Sequence, residues 1–289
     1  MSQADRGGGE DAAGRAAAPR YIDALIDDFR AGGAGRFNHL GHWDDPIHGP
    51  ASIDRSAAQR RMADLVVELA GVEAGTTVVD VGSGFGGTLV AVDEAFDRMQ
   101  LVGVDIDLRQ LRECRALRPR SGTSMHWIQA DGGELPLAAG TVDHLVSIEA
   151  LWHFPSRARF FAEAARVLRP GGRLGLVDVI ILPTAGQELG TTDEELRHEL
   201  EPAFGPWPSP FCTADDLVDL AAAAGLDCTA IIDATANTAP TYLDHGDAAQ
   251  RPGASAFSAS PAVARFVDLH RRGLIQVIYA ALGRPEAAA

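Results

Sequence analysis

The sequence contains no lysine, so all 25 of its basic side chains are arginines, and 40 acidic side chains outnumber them. The formal net charge of -15 argues against a protein that binds nucleic acid non-specifically. Such proteins draw most of their affinity from basic side chains that neutralise phosphates. We therefore expect no nucleic-acid partner.

Cysteine is scarce as well, with three residues at wide spacings and no Cys-x-x-Cys pair. An odd number of separated cysteines fits free thiols in a reducing compartment better than a disulfide framework or a zinc site. Histidines and acidic residues are scattered without a compact ligand motif, so the sequence predicts no metal site, although a magnesium-dependent catechol enzyme stays open. The three cysteines are Cys114, Cys212 and Cys228.

Long apolar runs are also missing. The sequence has no run of about 18 apolar residues, the length that a membrane span needs. Its start, MSQADRGGGEDAAGRAAAP, lacks the apolar centre of a secretory signal. The sequence thus predicts neither a membrane span nor a signal peptide, and we expect a cytoplasmic protein.

The chain has 289 residues, of which 46% are hydrophobic, so it is long enough for one large domain with a small cap. Residues 1–18 contain almost no large apolar side chain and predict a disordered tail. Two helical patterns within 19–72 predict an N-terminal helical cap, and the polar and aromatic loop RFNHLGHWDDP joins them. The remainder, 73–289, is predicted to be the main domain.

Short β-branched runs alternate with helical stretches from residue 77 onward. Such alternation predicts βαβ units, a parallel sheet and helices on both faces. The long segments 184–212 and 236–256 are expected to be lids or disordered, because compact domains rarely hold structureless loops of this length. The predicted strands are 77–81, 101–105, 125–129, 142–148, 173–182, 226–233 and 274–281, and the predicted helices are 88–97, 107–117, 156–168, 213–224 and 261–271.

The first predicted strand runs into a glycine-rich turn, DVGSGFGG (Asp80–Gly87), and then into a helix. Glycines let the backbone turn sharply and approach a ligand near the N–H groups of the helix. A dinucleotide site, a site for an adenosyl ligand without phosphate, and a structural turn all stay open at this point. After the second strand, Asp105 is placed to accept hydrogen bonds from ribose hydroxyls, whereas Asp107 suits a helix cap, a role open to either aspartate.

The ordered series VVDVGSGFGG, LVGVDID, QADGGELP, SIEALWHF and VLRPGGRL resembles the motifs of class I S-adenosylmethionine-dependent methyltransferases, in particular actinobacterial natural-product enzymes, over residues 60–182. The resemblance implies an α/β, Rossmann-like doubly wound sheet, mostly parallel with an antiparallel last strand. It implies a small cap made of the N-terminal helices and the 184–212 insertion, and a methyltransferase domain at 73–289. S-adenosylmethionine would be the cofactor and S-adenosylhomocysteine the product.

The same resemblance implies where the cofactor binds. Asp80 and the glycine turn would lie by its methionine end, Asp105 would hold the ribose, and Asp131 would hold the adenine amino group. These residues lie at or just past the carboxyl ends of predicted strands, and open α/β sheets bind ligands at that edge. Ile106 would line the adenine, with an apolar core role as the alternative. The implied cofactor-binding residues are Asp80, Gly82, Gly84, Asp105, Ile106, Asp131, Gly132 and Glu149.

The reacting group is expected at the same edge. His153 comes four residues after Glu149, which places both on one face of a helical turn, and a histidine beside a carboxylate is suited to take a proton near neutral pH. Asp178 lies in an apolar strand, where an unpaired carboxylate is costly, so it should face the site or have a partner. The resemblance lets it work with the histidine. We predict His153, Glu149 and Asp178 as catalytic, with a rim histidine and a loop-anchoring aspartate as alternatives.

The predicted function is methyl transfer to a small secondary metabolite with a planar aromatic scaffold such as a phenol or indole, with His153 as general base. Aromatic side chains are concentrated in the predicted caps, and their faces suit a flat acceptor, although each could be an ordinary core residue. The predicted substrate-binding residues are Tyr21, Phe29, Trp43, Trp152, Phe204 and Trp207.

Several other functions stay open. Within the family they are C-methylation of a prenyl diphosphate or sterol-like acceptor and O-methylation of a sugar. A diphosphate would need cations at the mouth of the site. Outside the family they are an NAD-dependent oxidoreductase and a non-catalytic cofactor-binding protein. No membrane partner is expected, and a homodimer is kept open. The candidate cations are Arg20, Arg30, Arg36 and Arg197.

Overall fold

The computed structural model describes residues 21–33, 35–47, 54–248 and 259–286, apart from the side chains of Tyr21 and of 243–248. The predicted tail at 1–18 lies outside these residues. Within them, no helix combines the length and the apolar character needed to cross a membrane. The division into a cap at 19–72 and a main domain at 73–289 stays a prediction.

A seven-stranded sheet forms the centre of the fold, with the strand order β3-β2-β1-β4-β5-β7-β6. The strands from β3 to β5 pair in parallel, whereas β7 runs antiparallel between β5 and β6. The predicted α/β sheet with its antiparallel last strand is therefore confirmed. The strands are β1 (Thr77–Val81), β2 (Gln100–Asp105), β3 (Ser124–Gln129), β4 (Val142–Ile148), β5 (Leu168–Ile181), β6 (Asp227–Asp233) and β7 (Ile275–Gly283).

Helices cover both faces of the sheet and enclose two apolar cores, one containing Met62 and Val66 and the other containing Phe160 and Phe161. Strands buried on both faces read as continuous apolar runs, as the sequence does here. The helices are α1 (Tyr21–Arg30), α2 (Arg55–Leu69), α3 (Gly87–Ala95), α4 (Leu108–Cys114), α5 (Arg157–Val167), α6 (Thr184–Leu189), α7 (Asp193–Phe204), α8 (Ala214–Ala223), α9 (Thr235–Ala248) and α10 (Pro261–Arg271).

The insertion at 184–212 is ordered, and most of it is helical. The expected alternative of a disordered loop is therefore wrong for this segment. Thr192 caps α7 through a reciprocal pair of hydrogen bonds with Glu195, and Leu196 and Leu200 are fully buried below it. The Thr-x-x-Glu spacing is a helix-start signal in the sequence.

The segment predicted as a second long loop, 236–256, contains α9 up to Ala248, so the loop prediction is wrong there. Its small residues and Pro240 resemble a loop, because proline lacks the N–H that a helix interior needs. Burial of Thr238, Thr241 and Tyr242 offsets this weak propensity. Residues 249–258 lie outside the described residues.

The fifth strand begins at Leu168, five residues before the predicted start at 173. Leu168 pairs with Val142, and the register then shifts before Arg173 meets His144. The Pro-Gly-Gly sequence indicates a turn, and the structure has a bulge there, with a φ of 75° at Gly171. The pairing with β4 resumes at Arg173.

Candidate active site

The loop after β1 turns at glycines with positive φ, which are 83° at Gly82, 51° at Gly84 and 78° at Gly86. A side chain on Gly82 would overlap the Cβ of Ala150, so the loop lies close against the end of β4. The Gly82 N–H also donates to the Val104 carbonyl at 2.8 Å, which holds the loop on β2. Glycine adopts such conformations at little cost, and α3 begins directly after them.

Two buried carboxylates flank this loop. Asp80 on β1 is 2% exposed and Asp105 at the end of β2 is 9% exposed. Burial and the charge of Asp105 raise the pKa of Asp80 to about 8, and burial raises the pKa of Asp105 to about 6. Asp105 accepts hydrogen bonds from the N–H groups of Gly84 and Asp107, both at 2.8 Å. Two adjacent buried acids favour a ligand that brings positive charge or hydroxyl donors.

Asp107 is a helix cap. Its carboxylate accepts a hydrogen bond from the Arg109 N–H at 2.8 Å at the start of α4, and it also pairs with the Arg109 guanidinium at 2.6 Å. The ion pair and the hydrogen bonds hold the pKa of Asp107 below its usual range. Of the two aspartates for which a cap role was open, Asp107 is therefore the one that caps α4.

The residues predicted to hold the adenine lie at the ends of β2 and β3. The Ala130 N–H donates to the Asp105 carbonyl at 3.1 Å, which joins the two strand ends. Ile106 is half-buried, and the half-buried Asp131 accepts a hydrogen bond from the Gly133 N–H at 2.7 Å. Gly132 lies so close to the Phe154 ring that a Cβ would come within 2.7 Å of it.

Glu149 follows β4 in a left-handed conformation with a φ of 50°, which is strained for a residue with a side chain. Its N–H donates to the Val177 carbonyl at 2.9 Å, and its Oε1 accepts the Leu40 N–H at 3.0 Å. Burial raises the pKa of Glu149 to about 8. The side chain therefore joins the N-terminal segment to the sheet edge as a buried carboxyl group.

His153 ends a short 3-10 helix, Leu151–His153, directly after Glu149. Its Nδ1 lies 2.9 Å from the Pro206 carbonyl oxygen, and an oxygen of this kind only accepts. Nδ1 therefore carries the hydrogen, and the ring lone pair is on Nε2. Burial lowers the pKa of His153 to about 4, so the imidazole is neutral at physiological pH.

Asp178 is fully buried in β5 and forms an ion pair with the Arg157 guanidinium, with 2.7 Å between Nε and Oδ2. Arg157 also donates to the Ser209 carbonyl at 2.8 Å. Burial raises the pKa of Asp178, and the Arg157 guanidinium and the backbone N–H of Trp152 act against that rise. Of the two expectations for Asp178, the structure shows the partner, and the pair ties β5 to the start of α5, four residues after His153.

Three predicted substrate residues form one aromatic cluster. The rings of Trp152 and Trp207 meet edge to face with centroids 4.2 Å apart, and Phe204 lies 6.1 Å from Trp152. Phe266 of α10 packs on Phe204 at 4.7 Å, and Tyr242 of α9 packs on Phe266 at 4.7 Å. The cap beside His153 is thus built from α7, α9 and α10.

The other predicted substrate residues lie elsewhere. Phe29 of α1 stacks on Phe85 of the glycine loop with centroids 4.3 Å apart, and the Trp43 N–H donates to the Asn237 carbonyl at 2.9 Å on α9. The side chain of Tyr21 lies outside the described residues. Of the five whose side chains are described, only Trp152, Phe204 and Trp207 form one group.

Residues 36–43, here called the strap, cross the carboxyl edge of the sheet. Gln59 of α2 donates to the carbonyls of Phe37 at 3.2 Å and His39 at 2.6 Å. The Leu40 N–H reaches Glu149, and the Gly41 N–H donates to Thr241 of α9 at 3.3 Å. The strap thereby connects α2, β4 and α9 over the cleft.

Sequence reasoning missed two strap residues. Phe37 lies against Gly87 at the start of α3, where a Cβ would come within 2.6 Å of its ring. His39 Nδ1 donates to the Leu40 carbonyl at 2.6 Å, and burial lowers its pKa to about 4. His39 Nε2 is buried without a hydrogen-bond partner in the described part of the chain. The polar and aromatic composition of RFNHLGHWDDP was the available signal, but it does not show which side chains point inward.

The comparisons with known proteins agree with this geometry. A family model described as Methyltransferase domain matches residues 79–176. Methyltransferase GfsG from Streptomyces halstedii is 31% identical over 215 residues, which are 70% of this chain and 70% of that protein. The chain belongs to the class I S-adenosylmethionine-dependent methyltransferases.

Other relatives of this methyltransferase match less of its length. The 27-O-demethylrifamycin SV methyltransferase of Amycolatopsis mediterranei is 33% identical over 52% of the chain and 54% of that protein, so about half of each is aligned. The solved structure of geranyl diphosphate C-methyltransferase from Streptomyces coelicolor A3(2) has a TM-score of 0.68 at 18% identity, covering 93% of this chain and 100% of that chain. This likeness shows a common fold, and a fold alone does not fix the acceptor.

S-adenosylmethionine is the cofactor of this methyltransferase, and the residues at the sheet edge fit it. The molecule carries an ammonium group and two ribose hydroxyls. Asp80 and Asp105 are buried carboxyls with raised pKa values, which such groups would satisfy. Ser83 Oγ is buried at the same loop and has no hydrogen-bond partner among the described residues.

A metal site is a separate question at this edge. Within 21–33, 35–47, 54–248 and 259–286, no three His, Cys, Asp or Glu side chains are grouped so that they could hold a metal ion.

Proposed function

We propose that this methyltransferase moves a methyl group from S-adenosylmethionine to a hydroxyl oxygen of a small natural product with a planar aromatic scaffold, with His153 as general base. The observation that carries the proposal is the hydrogen bond from His153 Nδ1 to the Pro206 carbonyl at 2.9 Å. It fixes the tautomer whose Nε2 can take a proton. A hydroxyl oxygen must lose its proton when it gains a methyl group, so such a base suits O-methylation.

The low pKa of His153 is compatible with this role. A hydroxyl oxygen that has begun to bond to a methyl group carries positive charge and is a much stronger acid than the free hydroxyl. A base with a pKa of about 4 can therefore accept the proton late in the transfer. Pro206 holds the ring in place for this step.

The cofactor supplies a methyl group already activated on a sulfonium sulfur. We propose that Asp80 and the glycine loop bind its methionine end, that Asp105 binds the ribose, and that Asp131 binds the adenine. The raised pKa values of Asp80 and Asp105 support the first two roles. The full set is Asp80, Gly82, Gly84, Asp105, Ile106, Asp131, Gly132 and Glu149.

The aromatic cluster supports a flat acceptor. Trp152 lies 4.4 Å from the His153 ring between centroids and 4.2 Å from Trp207, so an acceptor next to the base would meet aromatic faces. Alignment of the acceptor and exclusion of water are the main tasks left to the protein, since the methyl group is already activated. The name of the rifamycin relative points to transfer onto oxygen as well.

A prenyl diphosphate acceptor receives less support. Arg30 pairs with Glu113 at 2.6 Å, Arg36 donates to the Phe85 carbonyl at 3.0 Å, and Arg197 lies 3.7 Å from Asp193 on an exposed face. Arg20 lies outside the described residues. The candidate cations of the described part are thus engaged away from His153, whereas a diphosphate needs several converging ones.

The test compares an oxygen acceptor with a diphosphate acceptor. The purified full chain is incubated with S-adenosylmethionine and either 27-O-demethylrifamycin SV, resorcinol, or geranyl diphosphate with Mg²⁺, and products are identified by mass. We expect methylation of oxygen on an aromatic acceptor. His153→Gln should lower kcat by about 10² to 10⁴, while the calorimetric Kd for S-adenosylhomocysteine changes by less than about threefold.

His126→Gln is the matched control, because His126 is exposed on β3 and distant in the fold from the 3-10 helix. It should keep wild-type kcat. Full turnover by the His153→Gln enzyme would remove the histidine from the mechanism. Methylation of geranyl diphosphate without any product from an oxygen acceptor would replace the proposed acceptor class.

A further inference from the structure

A further histidine, His42, belongs to the strap and is hydrogen-bonded to a buried phenol. His42 Nδ1 lies 3.2 Å from the Tyr279 hydroxyl, and the two rings meet edge to face with centroids 5.7 Å apart. On its other side, His42 Nε2 lies 3.6 Å from the Asp44 carboxylate. Arg61 holds that carboxylate at 3.2 Å. Contacts thus run in series from the exposed Asp44 side to the core, through Arg61, Asp44, His42 and Tyr279.

The negative charge at the outer end favours one tautomer of His42. The Asp44 carboxylate lies 3.6 Å from Nε2, beyond hydrogen-bond distance, and its charge favours the ring hydrogen on that nitrogen. Nδ1 then has the lone pair, and Tyr279 must donate its O–H to it. Burial lowers the pKa of His42, which keeps the ring in this neutral form. Because the Tyr279 O–H is donated to His42, the Tyr279 oxygen can only accept hydrogen bonds from other groups.

Tyr279 belongs to the edge of the sheet that carries Glu149. It is 2% exposed and pairs across β7 and β5 with Val177, whose carbonyl accepts the Glu149 N–H. Burial, and after it the nearby charge of Glu149, raises the pKa of Tyr279 and of Tyr242 on α9. His153 follows Glu149 by a single short turn.

We propose that Tyr279 determines acceptor specificity by accepting a hydrogen bond from a second hydroxyl or amino group of the acceptor. His42 and Asp44 are positioning residues that give the phenol its fixed direction. The acceptor class is then a neutral molecule with two donor groups, one that is methylated beside His153 and one that meets Tyr279. This inference rests on the proposed function, because it presupposes O-methylation of an aromatic acceptor.

The energetic reason is that a buried polar group discriminates strongly. A site built to accept a hydrogen bond disfavours a ligand without the donor, since the phenol oxygen would remain buried and unpaired. An acceptor with a methoxy group in place of the second hydroxyl should therefore bind more weakly. Removing the Tyr279 hydroxyl should abolish the difference in binding between these two acceptors.

The kinetic test uses resorcinol and 3-methoxyphenol, which share the reacting hydroxyl and differ in the second oxygen. Tyr279→Phe should raise KM for resorcinol by about tenfold, to the value for 3-methoxyphenol, and leave KM for 3-methoxyphenol and both kcat values nearly unchanged. His42→Asn should shift KM in the same direction by a smaller factor. The exposed His126→Asn on β3 is the control and should match the wild type.

A second readout needs no acceptor. Nitrogen-15 NMR of the histidine-labelled S-adenosylhomocysteine complex should show the His42 tautomer with the hydrogen on Nε2 and none on Nδ1. Asp44→Asn should shift the equilibrium between the two tautomers. Protonation on Nδ1 would overturn the inference whatever the acceptor is.

The two failures are distinguishable. If the wild type methylates both phenols and Tyr279→Phe leaves both KM values unchanged, the inference is wrong and the proposed function stands. If the wild type methylates neither phenol nor any other aromatic acceptor, the proposed function is wrong and the inference falls with it.

Discussion

Asp178 is a buried charge whose partner lies inside the protein. Its carboxylate has no exposed surface and meets the Arg157 guanidinium at 2.7 Å, and Arg157 is itself 6% exposed. A buried ion pair contributes little net stability compared with an apolar pair, but a single buried charge without its partner is strongly unfavourable. A variant that removes only one partner of the Asp178–Arg157 pair therefore tests whether Asp178 holds Arg157 in position or takes part in the chemistry.

We predict that Asp178→Asn lowers the free energy of unfolding by about 3 to 5 kcal/mol, because it leaves the Arg157 charge buried and uncompensated. The double variant Asp178→Leu with Arg157→Met should recover most of that loss. Both are measured by urea denaturation, together with calorimetric binding of S-adenosylhomocysteine. Cofactor binding should survive in every variant that folds.

The control for this prediction is an exposed ion pair. Arg265 and Glu199 lie 2.5 Å apart with side chains 32% and 42% exposed, and Glu199→Gln should change stability by less than about 1 kcal/mol. A double variant no more stable than Asp178→Asn would show that Asp178 does more than balance Arg157.

The strap is tied to α2 in part through one side chain, Gln59. Gln59 is 8% exposed, and its single amide nitrogen serves two strap carbonyls, those of Phe37 and His39. Without the Gln59 amide, the Phe37 and His39 carbonyls lose this hydrogen-bond donor. Each unsatisfied buried carbonyl costs about 1 to 3 kcal/mol. The strap should then open more often than the helix beneath it.

We predict that Gln59→Leu speeds hydrogen exchange across 36–43 and weakens S-adenosylhomocysteine binding by about tenfold, while exchange in α2 stays slow. Hydrogen exchange read by mass spectrometry and calorimetry measure the two effects. Glu68→Ala, an exposed change on the same helix, is the control. Equal exchange in both variants would mean that the strap is held by its other contacts alone.

Elements also show what a sequence can and cannot predict. The strands Thr77–Val81 and Val142–Ile148 match their predicted bounds, because buried β-branched runs mark both ends. Helix α9 was missed, since its residues have weak helix propensity and only tertiary burial holds them. The Asp105 position followed from strand order, whereas the partner of Asp178 lies 21 residues away on another element and leaves no local pattern.

At the scale of the whole molecule, buried acids and buried histidines act in opposite directions on stability. Burial raises the pKa of Asp80 and Glu149 from 3.8 and 4.5 to about 8, so the folded chain binds their protons more tightly than the unfolded chain up to that pH. Burial lowers the pKa of His39 and His153 from 6.5 to about 4, so the unfolded chain binds more protons there between pH 4 and 6.5. The two effects oppose each other below pH 6.5.

Above pH 6.5 only the acids remain, and we predict that the free energy of unfolding of the cofactor-free protein falls between pH 6.5 and 8. Each acid contributes a slope of up to about 1.4 kcal/mol per pH unit. The measurement is urea denaturation across that range. Asp80→Asn should reduce the slope. Asp143→Asn should not, because an ion pair with Arg169 already holds the pKa of Asp143 low.

The same acids couple cofactor binding to pH. An ammonium group beside Asp80 favours its ionised form, so binding of S-adenosylhomocysteine at pH 7 should release protons. Calorimetry in buffers with different ionisation enthalpies counts those protons, and the count should fall in Asp80→Asn. Stability that stays constant from pH 6.5 to 8, with no proton release, would mean that Asp80 and Glu149 are already ionised in the free protein. The cleft would then be held open by charge repulsion rather than kept neutral until the cofactor binds.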